Sequence, residues 1–495
     1  MFAAAGDREC LRMTGRASWS YRDLLGRVEQ MAAVLIRCGI EPGERVMAQV
    51  DKSPESVALY LATLQVGGIY VPLNVAYTGA EVGYFISDAQ PRLFVGRPGM
   101  ENLPGDAPSG DDEGSTHFLT LGTDGDGTLA GAMRSAEPFD GLVARDAGDT
   151  AALVYTSGTT GRAKGAMLTH ANLASNAHAL RTCWGWRDDD VLLHALPLFH
   201  IHGLFIALHC ALLGGTPVIL LPRFDAGEVM SRLPEATVMM GVPTFYTRLL
   251  NQPEFNVRHC ANVRMFVSGS APLAEQTFRA WEERTGQRIL ERYGMSETII
   301  TTSNPLDGAR LAGTVGFALP GIDIRIADVA GREIPRGEVG TIEVRGESVF
   351  KGYWKMPEKT AEAFRPDGFF ITGDLGTMDA EGRVAIVGRG RDLIISGGYN
   401  VYPREVETAI DAVDGVVESA VIGVPHPDFG EGVVAVLVPA GAPVERFQLQ
   451  EALEHRLARY KQPKRVVNVT QLPRNAMGKV QKNHLREEYA ELFGG

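Results

Sequence analysis

The sequence predicts an α/β fold, and three patterns predict it. Aliphatic and β-branched runs alternate with amphipathic stretches from about residue 44 to 300, as in parallel sheets wrapped by helices. Residues 320–390 hold short strand-like pieces broken by Gly, Pro and Asp, an antiparallel or barrel-like section. From about 392 strands and helices alternate again in a compact α+β tail. The expected organisation is a large N-terminal domain of parallel-sheet α/β subdomains plus a β-barrel-like section, residues 1–390, and a small α+β C-terminal domain, residues 391–495.

In chain order, the predicted strands of the first part are Arg45–Val50, Ala151–Tyr155, Val191–Leu196, Thr237–Val242 and Val263–Ser268. The predicted helices between them are Ser53–Gln65, His170–Thr182 and Leu273–Thr285. Asp323–Ala327, Gly340–Arg345 and Gly382–Val387 are the predicted strands of the middle section. In the tail, Pro403–Val413 and Gln448–Ala458 read as helices, and Val416–Val424 and Val433–Val438 as strands. Residues 103–127, rich in Gly, Asp, Ser and Pro, read as one solvated loop. Its Asp-Gly-Asp-Gly ending is no EF-hand, because Ser135 stands where the ligating Glu would fall.

Composition narrows the function. Hydrophobic residues make up 45% and charged residues 22%, enough for a full-sized core. Lys and Arg number 48 against 60 Asp and Glu, a net charge of −12, which disfavours nucleic acid and anionic membrane as partners. No apolar run is long enough to span a bilayer, and the opening MFAAAGDREC meets Asp7 before any signal-like apolar core forms. The five scattered cysteines contain no CxxC pair and read as reduced thiols in a cytoplasmic protein.

The strongest local signal is Tyr155-Thr-Ser-Gly-Thr-Thr-Gly-Arg-Ala-Lys164-Gly. Thr156, Ser157, Gly158, Thr159, Thr160 and Gly161 follow one another directly after a strand, with a cation close behind. Backbone N–H groups, hydroxyls and one ammonium can wrap a polyphosphate. The loop is not a Walker A motif: Ala163 precedes the lysine and no Ser or Thr follows it.

This segment resembles the phosphate-binding signature of the adenylate-forming superfamily of acyl-CoA synthetases, peptide-synthetase adenylation domains and luciferases. Further signatures follow in the family's order. Leu196-Pro-Leu-Phe-His200 resembles its acyl-pocket motif, and Ser268-Gly-Ser-Ala-Pro and Tyr293-Gly-Met-Ser-Glu297 its adenine and magnesium motifs. Thr372-Gly-Asp374 and Gly388-Arg389-Gly-Arg391-Asp resemble its ribose and hinge motifs, and Pro473-Arg-Asn-Ala-Met-Gly-Lys479 its C-terminal lysine motif.

The resemblance implies a two-step chemistry. A carboxylate attacks the α-phosphate of MgATP, diphosphate leaves, and the thiol of coenzyme A then takes the acyl group and releases AMP. It implies that Lys479, Glu297 and Lys164 are catalytic, with Glu297 on Mg²⁺. It places the nucleotide on the Thr156–Gly161 loop, Gly269, Ser270, Ala271, Tyr293, Gly294, Ser296, Asp374 and Arg389. It also implies a mobile C-terminal domain turning about Arg391, so that Gly397, Gly398 and Tyr399 line a pantetheine tunnel in the second step. Between Arg456 and Arg486 stand nine Lys or Arg and no acid, a local positive field for polyphosphate.

Two arginines narrow the acid. Arg248 follows Pro243, which starts a helix, and Arg292 directly precedes Tyr293, where relatives commonly carry a small residue. A second substrate carboxylate would satisfy such cations. The wording around them resembles malonyl-CoA synthetases, with Ser270 and His200 also at the acyl group. The expected reaction is ligation of malonate, and also of methylmalonate, to coenzyme A; the alternative is a short- or medium-chain monocarboxylate ligase of the same family. Pro473-x-x-x-x-Gly478-Lys479 also resembles a target of a protein lysine acetyltransferase, which would silence Lys479. His200-Ile-His202 lacks the spacing of a zinc site. The expected state is a monomer or weak dimer.

Overall fold

A computed structural model describes residues 5–100, 115–156, 163–454, 456–475 and 478–493. Among these residues the strands form four sheets. In the first, Leu192–His194 lies in parallel between Val218–Leu220 and Val238–Gly241. The parallel run continues through Met265–Ser268 and Leu290–Tyr293. Val238–Gly241 and Met265–Ser268 are buried throughout, which is why they read as unbroken apolar runs. Parallel pairing brings the C-terminal ends of these strands to one edge, where ligand sites of open α/β sheets form.

The second sheet places Ile69–Pro72 in parallel with Arg45–Ala48 and Thr150–Thr156. Thr150–Thr156 then turns back, antiparallel, into Lys164–Thr169. Helix Pro54–Gln65 starts on Ser53, whose side chain accepts from Ser56 N, with Pro54 in the first turn. Helix His170–Cys183 starts on Thr169 in the same manner. Its buried Asn176 donates from Nδ2 to Ile300 O at 2.7 Å and so ties this helix to the loop after Tyr293.

Helix Pro243–Leu250 buries Phe245, Tyr246 and Leu249. The Tyr246 hydroxyl donates to Val267 O at 2.6 Å, and its ring meets Trp281 edge-on at 4.9 Å. The opposite face of the helix carries Thr244, which lies against Gly478 of the tail, and the exposed Arg248.

The middle section is a four-stranded antiparallel sheet, Ile322–Ala327, Gly340–Gly346, Phe370–Met378 and Val384–Arg389. Asp374 falls inside its third strand, not in a turn after it. A left-handed Gly373 (φ +72°) and a register shift after Leu375 break the strand's regularity there. His117–Thr120 likewise departs from the single loop expected over 103–127: it adds a parallel edge strand beside Leu93–Gly96. Its apolar, β-prone residues sit in a stretch whose Gly and Asp content hides them; residues 101–114 lie outside the described set.

The tail has its own sheet and its own apolar clusters on both faces, around Val421 and Leu437 on one and Ile422 and Val436 on the other. Its helices Pro403–Asp411 and Arg446–Leu453 are shorter than their periodicity suggests. Among the described residues no helix is long and apolar enough to cross a membrane.

Candidate active site

Ser157, Gly158, Thr159, Thr160 and Gly161 lie outside the described residues, but the ends of their loop are placed. Thr156 and Lys164 face each other across the hairpin, and Thr156 Oγ1 donates to Lys164 O at 3.5 Å. Lys164 Nζ stands 5.0 Å from the centre of the Tyr353 ring. The Tyr353 hydroxyl donates to Glu297 Oε1 at 3.1 Å. One tyrosine thus joins the phosphate loop to the acidic end of the Tyr293–Glu297 motif. Glu297 is buried, and burial raises its carboxyl above the ordinary range. A hard divalent cation would restore its charged form, so this oxygen donor beside a phosphate loop fits Mg²⁺.

The nucleoside motifs also meet. The Tyr293 hydroxyl donates to Asp374 Oδ2 at 2.6 Å, and Arg389 reaches Asp374 Oδ1 at 3.0 Å. A carboxylate accepts about four hydrogen bonds, so capacity remains for two ribose hydroxyls. Gly294 must stay bare: a Cβ there would lie 1.9 Å from Ile299 O. Ser296 follows on the same partly buried loop.

Beside this pocket is a buried cation. Arg292 is 5% exposed, and its Nε and Nη2 find no hydrogen-bond partner among the described residues. Burial lowers its affinity for the proton, yet a guanidinium stays charged at neutral pH. Side chains alternate along a strand, so the neighbouring Glu291 faces away from it. The Glu291 carboxyl instead takes backbone N–H groups of Leu273 and Gly313. Gly269 leaves room for the guanidinium, since a Cβ would lie 2.3 Å from Arg292 Cζ. Ser270 adopts φ +70°, a strained value for a residue with a side chain, and its Oγ lies 3.2 Å from His202 Nδ1. Ala271 follows on the same turn. Burial and the Lys479 and Arg292 cations push His200 down to about 3, and burial with Arg292 lowers His202 as well, so both rings are neutral.

Arg248 lies on helix Pro243–Leu250. Phe245, Tyr246 and Leu249 take the buried side of its helix, which leaves Arg248 exposed, one turn beyond Thr244. Of the two arginines expected at the substrate, Arg292 is thus the buried one and Arg248 the exposed one.

The tail sits against the same edge. A Cβ on Gly478 would lie 3.0 Å from Thr244 Oγ1, and Arg404 Nη2 donates to Leu273 O at 3.1 Å. Protein surrounds Lys479 in the cleft, although water still reaches its side chain. Burial, and the Arg389 cation after it, lower its ammonium to about 8; Asp374 and Glu297 oppose them. The basic run around it is less positive than its sequence suggests. Lys461, Arg474, Lys482 and Arg486 pair with Glu405, Glu418, Glu407 and Asp392 respectively.

Arg391 lies in the short turn Gly390–Asp392 that leads into the tail, and Gly397, Gly398 and Tyr399 are exposed. Gly397 and Gly398, at φ +61° and +80°, form the tip of the hairpin Ile394–Ser396/Tyr399–Val401. Two positive φ angles are what such a two-residue turn requires. Tyr399 is exposed and stacks on Tyr460 at 4.7 Å.

Sequence reasoning did not single out Tyr353, and it passed over His202 after excluding zinc. Tyr353 is 56 residues from Glu297, so no local spacing links them. The histidine pair was the only signal for His202.

Comparison with known proteins matches residues 2–354 to the AMP-binding enzyme family and residues 405–479 to the AMP-binding enzyme C-terminal domain. The solved ATP-bound MatB from Rhodopseudomonas palustris is 49% identical over 99% of each chain, with a TM-score of 0.95. The apo form of that protein superposes at 0.84. The mitochondrial malonate–CoA ligase ACSF3 of Mus musculus is 36% identical over 98% of this chain and 89% of its own length. A feruloyl-CoA synthase of Amycolatopsis is 36% identical over 96% of this chain and 95% of its own.

Proposed function

The chain belongs to the AMP-binding enzyme family, and from that membership we propose that it is an ATP-dependent malonate–CoA ligase. The products are malonyl-CoA, AMP and diphosphate, and methylmalonate is a second substrate. The observation that carries the choice of acid is the buried, unpartnered guanidinium of Arg292. An apolar acyl chain beside it would leave a charge without compensation, which costs several kcal/mol. A short diacid brings its own counter-ion. Ser270 and His202 flank that carboxylate, and His200 borders the other end of the acid.

Each residue then has a task. Lys164 and the Thr156–Gly161 loop hold the triphosphate. The Tyr293 ring meets the adenine, and its hydroxyl holds Asp374 ready for the ribose. Glu297 holds Mg²⁺, which when bound neutralises charge on phosphate oxygens. Lys479 bridges the reacting carboxylate and the α-phosphate, where negative charge grows as the phosphorus–oxygen bond forms. The acyl-adenylate next receives the thiol of coenzyme A, after the domain beyond Arg391 turns and brings Gly397, Gly398 and Tyr399 toward the pocket. Acetylation of Lys479 by a protein acetyltransferase would remove the charge the first step needs. The five free thiols accord with a reducing cytoplasm.

AMP release with malonate, methylmalonate, succinate, acetate and octanoate, in the presence of ATP, Mg²⁺ and coenzyme A, tests the proposal. Malonate should give the highest kcat/KM. Faster turnover of octanoate or acetate would make the monocarboxylate ligase the correct assignment.

A further inference from the structure

One contact between the tail and the large domain reaches the nucleotide-pocket turn. Arg404 lies in the first turn of helix Pro403–Asp411 and donates from Nη2 to Leu273 O at 3.1 Å. Leu273 ends the turn Gly269–Leu273, which carries the strained Ser270 and abuts Arg292 through Gly269. Below this contact is Glu291, 7% exposed, with Oε1 lacking a hydrogen-bond partner among the described residues. Burial raises this carboxyl to about 8, and the nearby Arg404 cation and the backbone N–H groups of Leu273 and Gly313 oppose that rise. Arg404 therefore meets a carbonyl across the domain boundary, near an incompletely satisfied buried acid. Arg292 and Glu291 are adjacent on one strand, so the substrate cation and the docking point of the tail share a rigid support.

We propose that Arg404 is a positioning residue for the adenylation step: it fastens the tail to the Leu273 turn while Lys479 is in the cleft. The inference rests on the two-step ligase reading above. Turning of the tail about Arg391 separates Arg404 from Leu273, so the contact acts in the first half-reaction alone. It also ties closure to the Ser270 turn, whose shape depends on the acyl pocket being correctly built.

The test is to measure both half-reactions in the full-length enzyme carrying Arg404→Met or Arg404→Lys. Malonate-dependent exchange of diphosphate into ATP reads the first, and thioester formation from supplied malonyl-adenylate and coenzyme A reads the second. A charge-assisted hydrogen bond at a half-buried boundary predicts a roughly 10-fold loss of exchange in Arg404→Met. Thioester formation should stay within about twofold of wild type, which also shows that the variant folds. Arg404→Lys, which keeps the charge, should recover part of the exchange. Equal loss of both half-reactions, or undiminished exchange in Arg404→Met, overturns the proposal. Failure of the malonate reading looks different: wild-type enzyme would exchange with another acid and not with malonate, and the Arg404 variants would then be compared on that acid.

Discussion

Gly269 and Arg292 are in mutual contact: a methyl group on Gly269 would lie 2.3 Å from Arg292 Cζ. The glycine is thus the wall that admits the guanidinium. Gly269→Ala should displace that group by about an ångström and lower kcat/KM for malonate roughly 100-fold, because misplacements of that size have such effects. Overpacking should destabilise the fold by about 1–3 kcal/mol. Steady-state kinetics with denaturant melts check both; a variant with wild-type malonate kinetics would show that the contact is irrelevant to the acid.

Burial holds the Lys479 ammonium at about 8, well below the ordinary lysine value of 10.5. The charged form prevails below that pH, so kcat/KM for adenylation should fall as pH rises through about 8. Bound anions favour the charged form, so the same limb in kcat should move to higher pH. Lys479→Arg, whose guanidinium keeps its proton, should be slower but lack the limb. Lys479→Ala should abolish exchange and leave thioester formation from supplied acyl-adenylate. A limb unchanged in Lys479→Arg would assign the titration to another group.

Tyr353→Phe removes one hydrogen bond from Glu297 and keeps the ring beside Lys164. That hydrogen bond lowers the Glu297 carboxyl, so its loss should raise it further. Less carboxylate at a given pH means weaker magnesium binding, and the loss shrinks as pH rises. KM for MgATP should increase roughly 3- to 10-fold, more at pH 6 than at pH 8. Magnesium titrations at the two pH values decide it; equal effects at both would contradict this role.

Much of the fold was legible because short buried strands leave unbroken apolar runs. Val238–Gly241 and Met265–Ser268 appear within one or two residues of their predicted limits. Edges were harder. His117–Thr120 is four residues long in a Gly- and Asp-rich context, so composition outweighed its β-prone sequence. The nucleotide residues were legible as ordered motifs. Spacing identified the helix that carries Arg248 but not which side of it is buried; Phe245, Tyr246 and Leu249 decide that only in three dimensions. Gly397 and Gly398 show the reverse: a pair chosen for ligand access also has a purely local cause in its hairpin turn. Tyr353 and Arg404 act through contacts far apart in sequence, which no spacing reveals.

The central claim is that one buried guanidinium selects a diacid, and the ratio of kcat/KM for malonate to that for butyrate measures it most directly. Loss of a charge-assisted contact worth ~1.5–3 kcal/mol or more predicts that Arg292→Ala lowers the ratio by roughly 10- to 1000-fold. A ratio that survives Arg292→Ala would contradict the account.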